Sequence, residues 1–247
     1  MLLTVTDFGP SGPYLAQLKA AALAQAPDVP ILDLLTAAPA FDPVATGYLL
    51  AALIADFPPD SVVLGVVDPG VGTARRPIVV QSGRRWFVGP DNGLFAPALN
   101  ATAAGGKAQI AAWTIDWRPP RLSASFHGRD LFAPVAARLW HDATPPGAPC
   151  DPNGLVGRDL PPDRDAVIFI DTYGNAITGR RAATLGATAR LSVGGHSLAR
   201  ARTFGDTAPG TAMWYENANG LAEIAVNQGR ADTVLGLRVG DAVTFAT

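Results

Sequence analysis

The stretch SVVLGVVDPG, residues 61–70, is the segment from which the fold class follows. Its apolar run over residues 61–67 is rich in valine, which is typical of a strand buried on both faces of a sheet. The run ends at Asp68-Pro69-Gly70, a sequence that favours a turn. Similar strand-like runs occur at residues 2–6, 31–35, 77–81 and 85–88.

Helical patterns alternate with these strands, at about residues 13–24, 44–53 and 129–140. The alternation predicts an α/β N-terminal domain, residues 1–145, with a mainly parallel sheet flanked by helices. Prolines crowd the next segment and predict a linker over residues 146–165. Residues 166–247 carry short strand patterns separated by glycine-containing turns, which predict a smaller all-β C-terminal domain.

The composition is that of a well-buried globular protein, with 48% hydrophobic and 16% charged residues in a chain of 247. A net charge of −2 without any basic run gives no indication of a nucleic-acid partner. A single cysteine and three histidines make a disulfide, a Cys-rich zinc site or a multi-histidine metal site unexpected. We find no signal sequence and no apolar stretch near the roughly 20 residues of a membrane span, so we expect a cytoplasmic protein without membrane contact.

Acidic residues stand at the ends of buried strands. Asp7, Asp68 and Asp171 each follow an apolar run and precede a glycine within a few residues. In open α/β sheets the carboxyl ends of the strands face the ligand crevice. Any one of these residues could instead cap a helix or open a turn. Three in the same context favour a ligand site.

Two further features, the loop at residues 68–75 and His127, allow both a functional and a structural interpretation. Residues 68–75, DPGVGTAR, form a loop poor in side chains that is neither a P-loop nor a dinucleotide fingerprint. Arg75 either returns to pair with Asp68 or lies on the surface. His127 precedes a predicted helix start, with Asp130 where a carboxylate complements the helix dipole. The residues alone predict a small-molecule site without naming the ligand.

Six stretches, taken together, resemble the S-adenosyl-L-methionine hydroxide adenosyltransferase family, which is related to the fluorinase and chlorinase. They are TDFG at 6–9, VVDPGVG at 66–72, FVGPDNGLF at 87–95, FHGRDLFAP at 126–134, IDTYGNAIT at 170–178 and NANGLAEIAVNQG at 217–229. The resemblance implies hydrolysis of S-adenosyl-L-methionine to adenosine and L-methionine, by in-line attack of water on the ribose C5′ and without a cofactor. It also implies a homotrimer whose sites lie between the N-terminal domain of one subunit and the C-terminal domain of its neighbour.

The resemblance assigns roles to residues. The family's Asp-Arg-His triad, which acts on the water, falls on Asp68, Arg75 and His127. Asp7 would hold the ribose hydroxyls, while Asp171 and Asn175 would meet the amino-acid end or the adenine edge. The other implied substrate-binding residues are Phe126, Gly128, Tyr173, Phe204, Asn217, Asn219 and Val226. Ala218 stands where relatives commonly have serine, so we expect one hydrogen bond to methionine, worth about 0.5–1.5 kcal/mol, to be missing.

Three other functions are weighed against hydrolysis. In the halogenating relatives the Asp68 position carries an uncharged residue, typically tyrosine, and a carboxylate there would repel a halide. A non-catalytic adenosine- or S-adenosyl-L-methionine-binding protein would not need the complete triad. A methyltransferase would carry several glycines in the loop after the first strand, where the segment Asp7-Phe8-Gly9-Pro10 has one.

Overall fold

The computed structural model describes residues 1–104, 106 and 109–246, which form two compact units, Met1–Leu160 and a second from Pro161 onward. The strands of the first unit are β1 Leu2–Thr6, β2 Ile31–Leu35, β3 Val62–Val66, β4 Pro77–Ser82, β5 Arg85–Pro90, β6 Ile110–Thr114 and β7 Pro149–Cys150. Its helices are α1 Tyr14–Leu23, α2 Pro43–Leu53, α3 Ala96–Ala104 and α4 Ala133–Asp142.

The first unit has one seven-stranded sheet in the order β2-β1-β3-β5-β4-β6-β7. Strands β2, β1, β3, β5 and β6 run in one direction, and β4 and β7 run in the other. The sheet is therefore mainly parallel, and the predicted α/β class is confirmed. Helices α1 and α4 pack on one face and α2 and α3 on the other, which buries two apolar layers.

The predicted helix at residues 129–140 begins differently in the structure. A π-helical turn, Gly128–Phe132, leads into α4. Pro134 lies in the first turn of α4 and has no N–H to donate to a carbonyl one turn earlier. The widened turn accommodates that missing donor, and such turns are frequent at functional sites.

The predicted linker, residues 146–165, is largely part of the first unit. The structure divides after Leu160, because β7 pairs with β6 at the edge of the sheet. Proline is tolerated there, since an edge strand need not donate to a neighbour on its outer side. Beyond β7, Arg76 donates to the Gly154 carbonyl at 2.7 Å, and Val156 N–H donates to Asp91 at 2.9 Å. The proline content had predicted a linker, whereas these hydrogen bonds attach the segment to the first unit.

The second unit consists of two antiparallel sheets, ordered β12-β13-β9-β8 and β11-β10-β14, which confirms the predicted β domain. Its elements are β8 Arg164–Ile170, β9 Ala176–Arg181, β10 Arg190–Val193, β11 His196–Leu198, β12 Ala212–Glu216, β13 Leu221–Val226, a short helix α5 Ala231–Val234, and β14 Thr244–Ala246. The fully buried Trp214 anchors its core and donates from Nε1 to the Ala189 carbonyl at 2.9 Å.

The longest α-helix in the described part of the chain is α2, with 11 residues. No described helix is long and apolar enough to cross a membrane.

Strands β3 and β5 approach closely at two glycines, which generates a prediction about stability. A Cβ on Gly89 would lie 2.3 Å from the Gly65 carbonyl oxygen and 2.9 Å from Phe95 Cζ. We expect Gly89→Ala to lower the free energy of unfolding by about 1–3 kcal/mol in urea denaturation, because backbone atoms cannot yield to the methyl group. Gly154→Ala is the matched control, since its Cβ would have no neighbour nearer than 4.0 Å. Equal midpoints for the two variants would contradict the prediction.

Candidate active site

The strand order of the first unit reverses at β1, and two carboxylates lie at this point. The chain passes from β1 to β2 on one side and returns to β3 on the other, so β1 and β3 are neighbours. Their last residues, Thr6 and Val66, are in register. Asp7 and Asp68 follow at the adjacent carboxyl ends of these strands. Open α/β sheets bind ligands where the order reverses in this way.

A cavity of about 140 Å³ lies at this point. Its lining contains five residues that the sequence analysis had assigned to the site: Asp7, Asp68, Phe126, His127 and Gly128. It also contains six that the analysis had not assigned: Phe8, Phe41, Val66, Pro69, Val71 and Ser125.

Arg75 returns to Asp68 at the end of the glycine-containing loop. Its Nε lies 3.0 and 2.9 Å from the two Asp68 carboxylate oxygens, and its Nη2 donates to Oδ2 at 2.5 Å. Both side chains are largely buried, 10% and 5% exposed. The sequence left open whether Arg75 pairs with Asp68 or lies on the surface, and in the structure it pairs with Asp68.

The same guanidinium reaches His127. Arg75 Nη2 lies 2.9 Å from His127 Nδ1, and because arginine can only donate, Nδ1 accepts. His127 is therefore neutral, with its proton on Nε2. Burial lowers the pKa of His127 below 6.5, and the charge of Arg75 lowers it further. The residue thus serves as a hydrogen-bond donor through Nε2 at neutral pH.

Asp7 is partly buried in the lining of the same cavity. Burial raises the pKa of Asp7, and the charge of Asp68 adds to this rise. Its Oδ2 accepts from the backbone N–H of Phe41 at 3.2 Å. Phe41 has φ = 61°, an unusual backbone conformation for a bulky residue, and its side chain is 78% exposed. Asp7 therefore holds a strained aromatic residue at the rim of the cavity.

A second cavity, about 860 Å³, lies in the second unit. Its lining contains Asp171, Tyr173, Asn175, Phe204 and Val226, all assigned from the sequence. It also contains residues that the sequence analysis missed: Thr172, Tyr215, Glu223, Asn227, Gln228, Gly229 and Arg230.

Asp171 has a structural task in this unit. Its Oδ1 accepts from the backbone N–H groups of Tyr173 and Asn175, both at 2.9 Å. Its Oδ2 accepts from the Asn175 side-chain amide at 3.2 Å. Asp171 thus holds the turn between β8 and β9, the alternative that sequence reasoning had left open. It does so while lining the cavity, so both readings describe the same residue.

Asn217 and Asn219 are placed differently from the other assigned residues. Within the described part of the chain, the cavity lining does not include either of them. Asn217 is buried, and its Oδ1 accepts from the backbone N–H groups of Asn219 and Leu221. Its Nδ2 donates to Glu223 at 2.8 Å. Glu223 is the residue that sequence reasoning could have found, since it is a charge inside the otherwise apolar strand LAEIAV.

The described residues, 1–104, 106 and 109–246, contain no candidate metal site. No group of three or more His, Cys, Asp or Glu side chains there could hold an ion.

Comparison with known proteins gives the same family along both units. Residues 2–147 match the SAM hydroxide adenosyltransferase N-terminal domain, and residues 165–244 match the corresponding C-terminal domain. A protein of Salinispora arenicola named (R)-S-adenosyl-L-methionine hydrolase is 38% identical, over 96% of this chain and 94% of its own. A protein of Thermus thermophilus with the same name is 39% identical, over 96% and 95%.

Solved structures agree with this result. The crystal structure of an uncharacterized conserved protein from Thermotoga maritima is similar with a TM-score of 0.85 and 30% identity, and the match covers 100% of both chains. That of a conserved hypothetical protein from Thermus thermophilus has a TM-score of 0.77 and 35% identity, over 99% of both.

The hydrogen bond from Arg75 generates a prediction about His127. In an NMR titration we expect the wild-type imidazole to have a pKa below 6.5. Arg75→Met should raise it, because the nearby cation is lost while the Asp68 carboxylate, which favours the charged imidazole, stays.

Arg76→Met is the matched control, since the neighbouring arginine pairs with Asp91 instead. An unchanged His127 pKa in Arg75→Met, or an equal rise in both variants, would contradict the assigned hydrogen bond.

Proposed function

The chain belongs to the S-adenosyl-L-methionine hydroxide adenosyltransferase family, and from that premise we propose that it hydrolyses S-adenosyl-L-methionine to adenosine and L-methionine. The observation that carries the proposal is the arrangement of Asp68, Arg75 and His127 beside the cavity between β1 and β3. A carboxylate and an imidazole N–H face one small space there, and a single buried guanidinium connects them.

The chemistry of the substrate defines what these residues must do. S-adenosyl-L-methionine is a sulfonium, so cleavage at the ribose C5′ releases a neutral thioether. The leaving group needs neither a proton nor a Lewis acid, and we propose that the reaction uses no cofactor. What the protein must supply is a water molecule placed in line behind C5′ and an acceptor for its proton. Orientation of this kind contributes roughly 7–11 kcal/mol to barrier lowering.

Two side chains, Asp68 and His127, can hydrogen-bond to that water, and Arg75 holds both of them in place. Asp68 can accept a hydrogen bond from the water and take its proton, a contribution of about 10²–10⁴-fold. His127 can donate from Nε2 to the water oxygen, because Nδ1 is occupied by Arg75. Arg75 keeps both groups in place and itself lies outside the described lining of the cavity. We assign it to orienting the pair rather than to contact with the water.

Electrostatics favours water over halide as nucleophile. Asp7 and Asp68 both face the cavity, so their charges attract the cationic sulfonium and repel an anionic nucleophile. A halogenase would need neutral donors around a dehydrated anion. The presence of the Asp68 carboxylate in the cavity lining therefore supports hydrolysis.

We further propose that the protein is a cytoplasmic homotrimer without nucleic-acid partners. In this assembly the cavity of the first unit from one subunit would be completed by the 860 Å³ cavity of the second unit from its neighbour. Asp7 would hold the ribose hydroxyls, and Asp171, Asn175 and Phe204 would meet the rest of the substrate. Support comes from the chemistry of the two linings, one carrying Asp68 and His127 and the other carrying aromatic and amide groups.

Product analysis in ¹⁸O-labelled water tests the reaction. We expect adenosine and methionine in equal amounts, with the label on the 5′ hydroxyl, and no 5′-chloro-5′-deoxyadenosine in high chloride. Because the relatives are named for the (R) form, each sulfonium epimer is supplied separately. Unlabelled adenosine or a halogenated product would rule out in-line attack by water.

Two variants complete this experiment. Asp68→Asn should lower kcat by about 10²–10⁴-fold, because the amide cannot take the proton of the water. Asp60→Asn removes an exposed carboxylate that pairs with Arg84 in the same unit, and it should retain the wild-type rate. A near-wild-type rate in Asp68→Asn would remove Asp68 from the chemistry.

Complementation tests the shared site. Asp68→Asn and Asn175→Ala are each expected to be weakly active alone. Co-expressed, they should regain about a quarter of the wild-type activity, the share of neighbouring pairs in a random trimer that combine an intact first unit with an intact second unit. Light scattering gives the mass of the assembly. Activity no higher than the sum of the two variants would argue for sites within one chain.

A further inference from the structure

The loop that joins β3 to β4, residues 67–76, must pass the end of another strand. Strand β5 lies between β3 and β4 in the sheet, parallel to β3 and antiparallel to β4. The ends of β3 and β5 and the start of β4 are therefore at one edge, where Pro90 of β5 pairs with Pro77 of β4. Asp91 and Asn92 follow β5 at this edge, so both ends of the loop lie beside them.

The side-chain amide of Asn92 is bonded at both of its ends. Its Oδ1 accepts from the Leu94 N–H at 3.3 Å, a bond within the turn after β5 of the kind that asparagine commonly makes. Its Nδ2 donates to the Val67 carbonyl at 2.8 Å. Val67 is fully buried and directly precedes Asp68 in the chain. The second bond therefore joins the turn after β5 to the end of the loop that carries the proposed base.

The opposite end of the loop is held differently. The backbone N–H of Asp91 donates to the Arg76 carbonyl at 2.9 Å, so no side-chain substitution removes this bond. At the first end, the Asp68 carbonyl accepts from the Val71 N–H at 3.2 Å, which gives the loop a turn of its own. Without the bond from Asn92, this turn and the Asp68 carboxylate would be able to move relative to the cavity.

Any effect of Asn92 on the reaction must pass through another residue. Within the described part of the chain, the lining of the first unit's cavity contains Asp68 and not Asn92. In-line attack on C5′ requires the base and the water at fixed places, and a misplacement of about 1 Å can lower a rate by about 10²-fold. We propose that Asn92 is a positioning residue: by holding the Val67 carbonyl, it fixes the Asp68 carboxylate against the attacking water. The inference rests on the hydrolysis proposed above.

Two substitutions separate the positioning of Asp68 from the closing of the turn. Asn92→Ala removes both bonds of the side chain, and alanine can adopt the backbone conformation, because Asn92 is not among the described residues with positive φ. Asn92→Ser keeps an acceptor for the Leu94 N–H, but its hydroxyl is one bond shorter than the amide and stops short of Val67. We expect both variants to lower kcat by about 10–100-fold. KM should stay close to the wild-type value, because only the attack is affected.

Asn100→Ser is the matched control. Asn100 is a partly buried asparagine of the same unit, and its amide also donates to main-chain carbonyls, those of Gly157 and Leu160, which lie outside the loop. It should keep the wild-type kcat. Wild-type kcat in Asn92→Ser with a loss in Asn92→Ala would assign Asn92 to the turn alone and overturn the proposal. Wild-type kcat in both variants, or an equal loss in Asn100→Ser, would overturn it as well.

A measurement without turnover separates this inference from the proposed reaction. Arg75 Nε donates to both Asp68 carboxylate oxygens, so we expect its hydrogen to exchange slowly with solvent in wild-type NMR spectra. The exchange should be faster in the Asn92 variants and unchanged in Asn100→Ser. Fast exchange in the wild type, or unchanged exchange in the Asn92 variants, would overturn the proposal. A wild type that forms no adenosine while the variants exchange faster would contradict the hydrolysis and support the fixing of Asp68 by Asn92.

Discussion

The guanidinium of Arg75 is the interaction on which the candidate active site depends. It joins a carboxylate at the end of β3 to an imidazole at the start of the π-helical turn, two groups that are far apart in the sequence. One planar cation can do this because its donors point in fixed directions. Without it, Asp68 would be a largely buried charge without its cation and His127 would lose the bond that fixes its tautomer. The site is therefore a consequence of how the glycine-containing loop returns Arg75 to the sheet.

In the second unit, two carboxylates hold polar groups in place beside the cavity. Asp171 holds the turn between β8 and β9 through backbone N–H groups, and Glu223 on β13 accepts from the Tyr215 hydroxyl and the Asn217 amide. Asp171 also accepts from the Asn175 backbone N–H and side-chain amide. In both units a charged group orients a neutral group that lines a cavity: Arg75 orients His127, and Asp171 orients Asn175. Such pre-organisation lowers the cost of binding because the polar groups are already held in place.

The strand order explains why the first cavity lies where it does. Because β1 is followed by β2 on one side and adjoined by β3 on the other, no helix crosses between the ends of β1 and β3. Asp7 and Asp68 are left facing the gap, and the aromatic residues Phe8, Tyr14 and Phe126 pack edge to face beside it. The negative charge of the two carboxylates suits a cationic substrate. The same feature that defines the fold therefore also sets the electrostatics of the site.

The sequence by itself determined the fold class, the family, and which residue types would meet at the site. These conclusions rest on apolar strand patterns, on acidic residues at strand ends and on six family-like stretches. Each of these patterns lies within a short segment of the chain, so it can be recognised without knowing the fold. It did not give α3 or β6, whose patterns are weak, and it read residues 146–160 as linker because proline content says nothing of edge pairing. It also missed Glu223, a single buried charge that is satisfied by two hydrogen-bond partners, Tyr215 and Asn217. The tertiary structure alone decided that Arg75 is buried rather than exposed, that His127 is a neutral donor, and that Glu223 accepts from Tyr215 and Asn217 inside the second unit. Each of these is set by the distance between groups far apart in sequence, and only folding determines such distances.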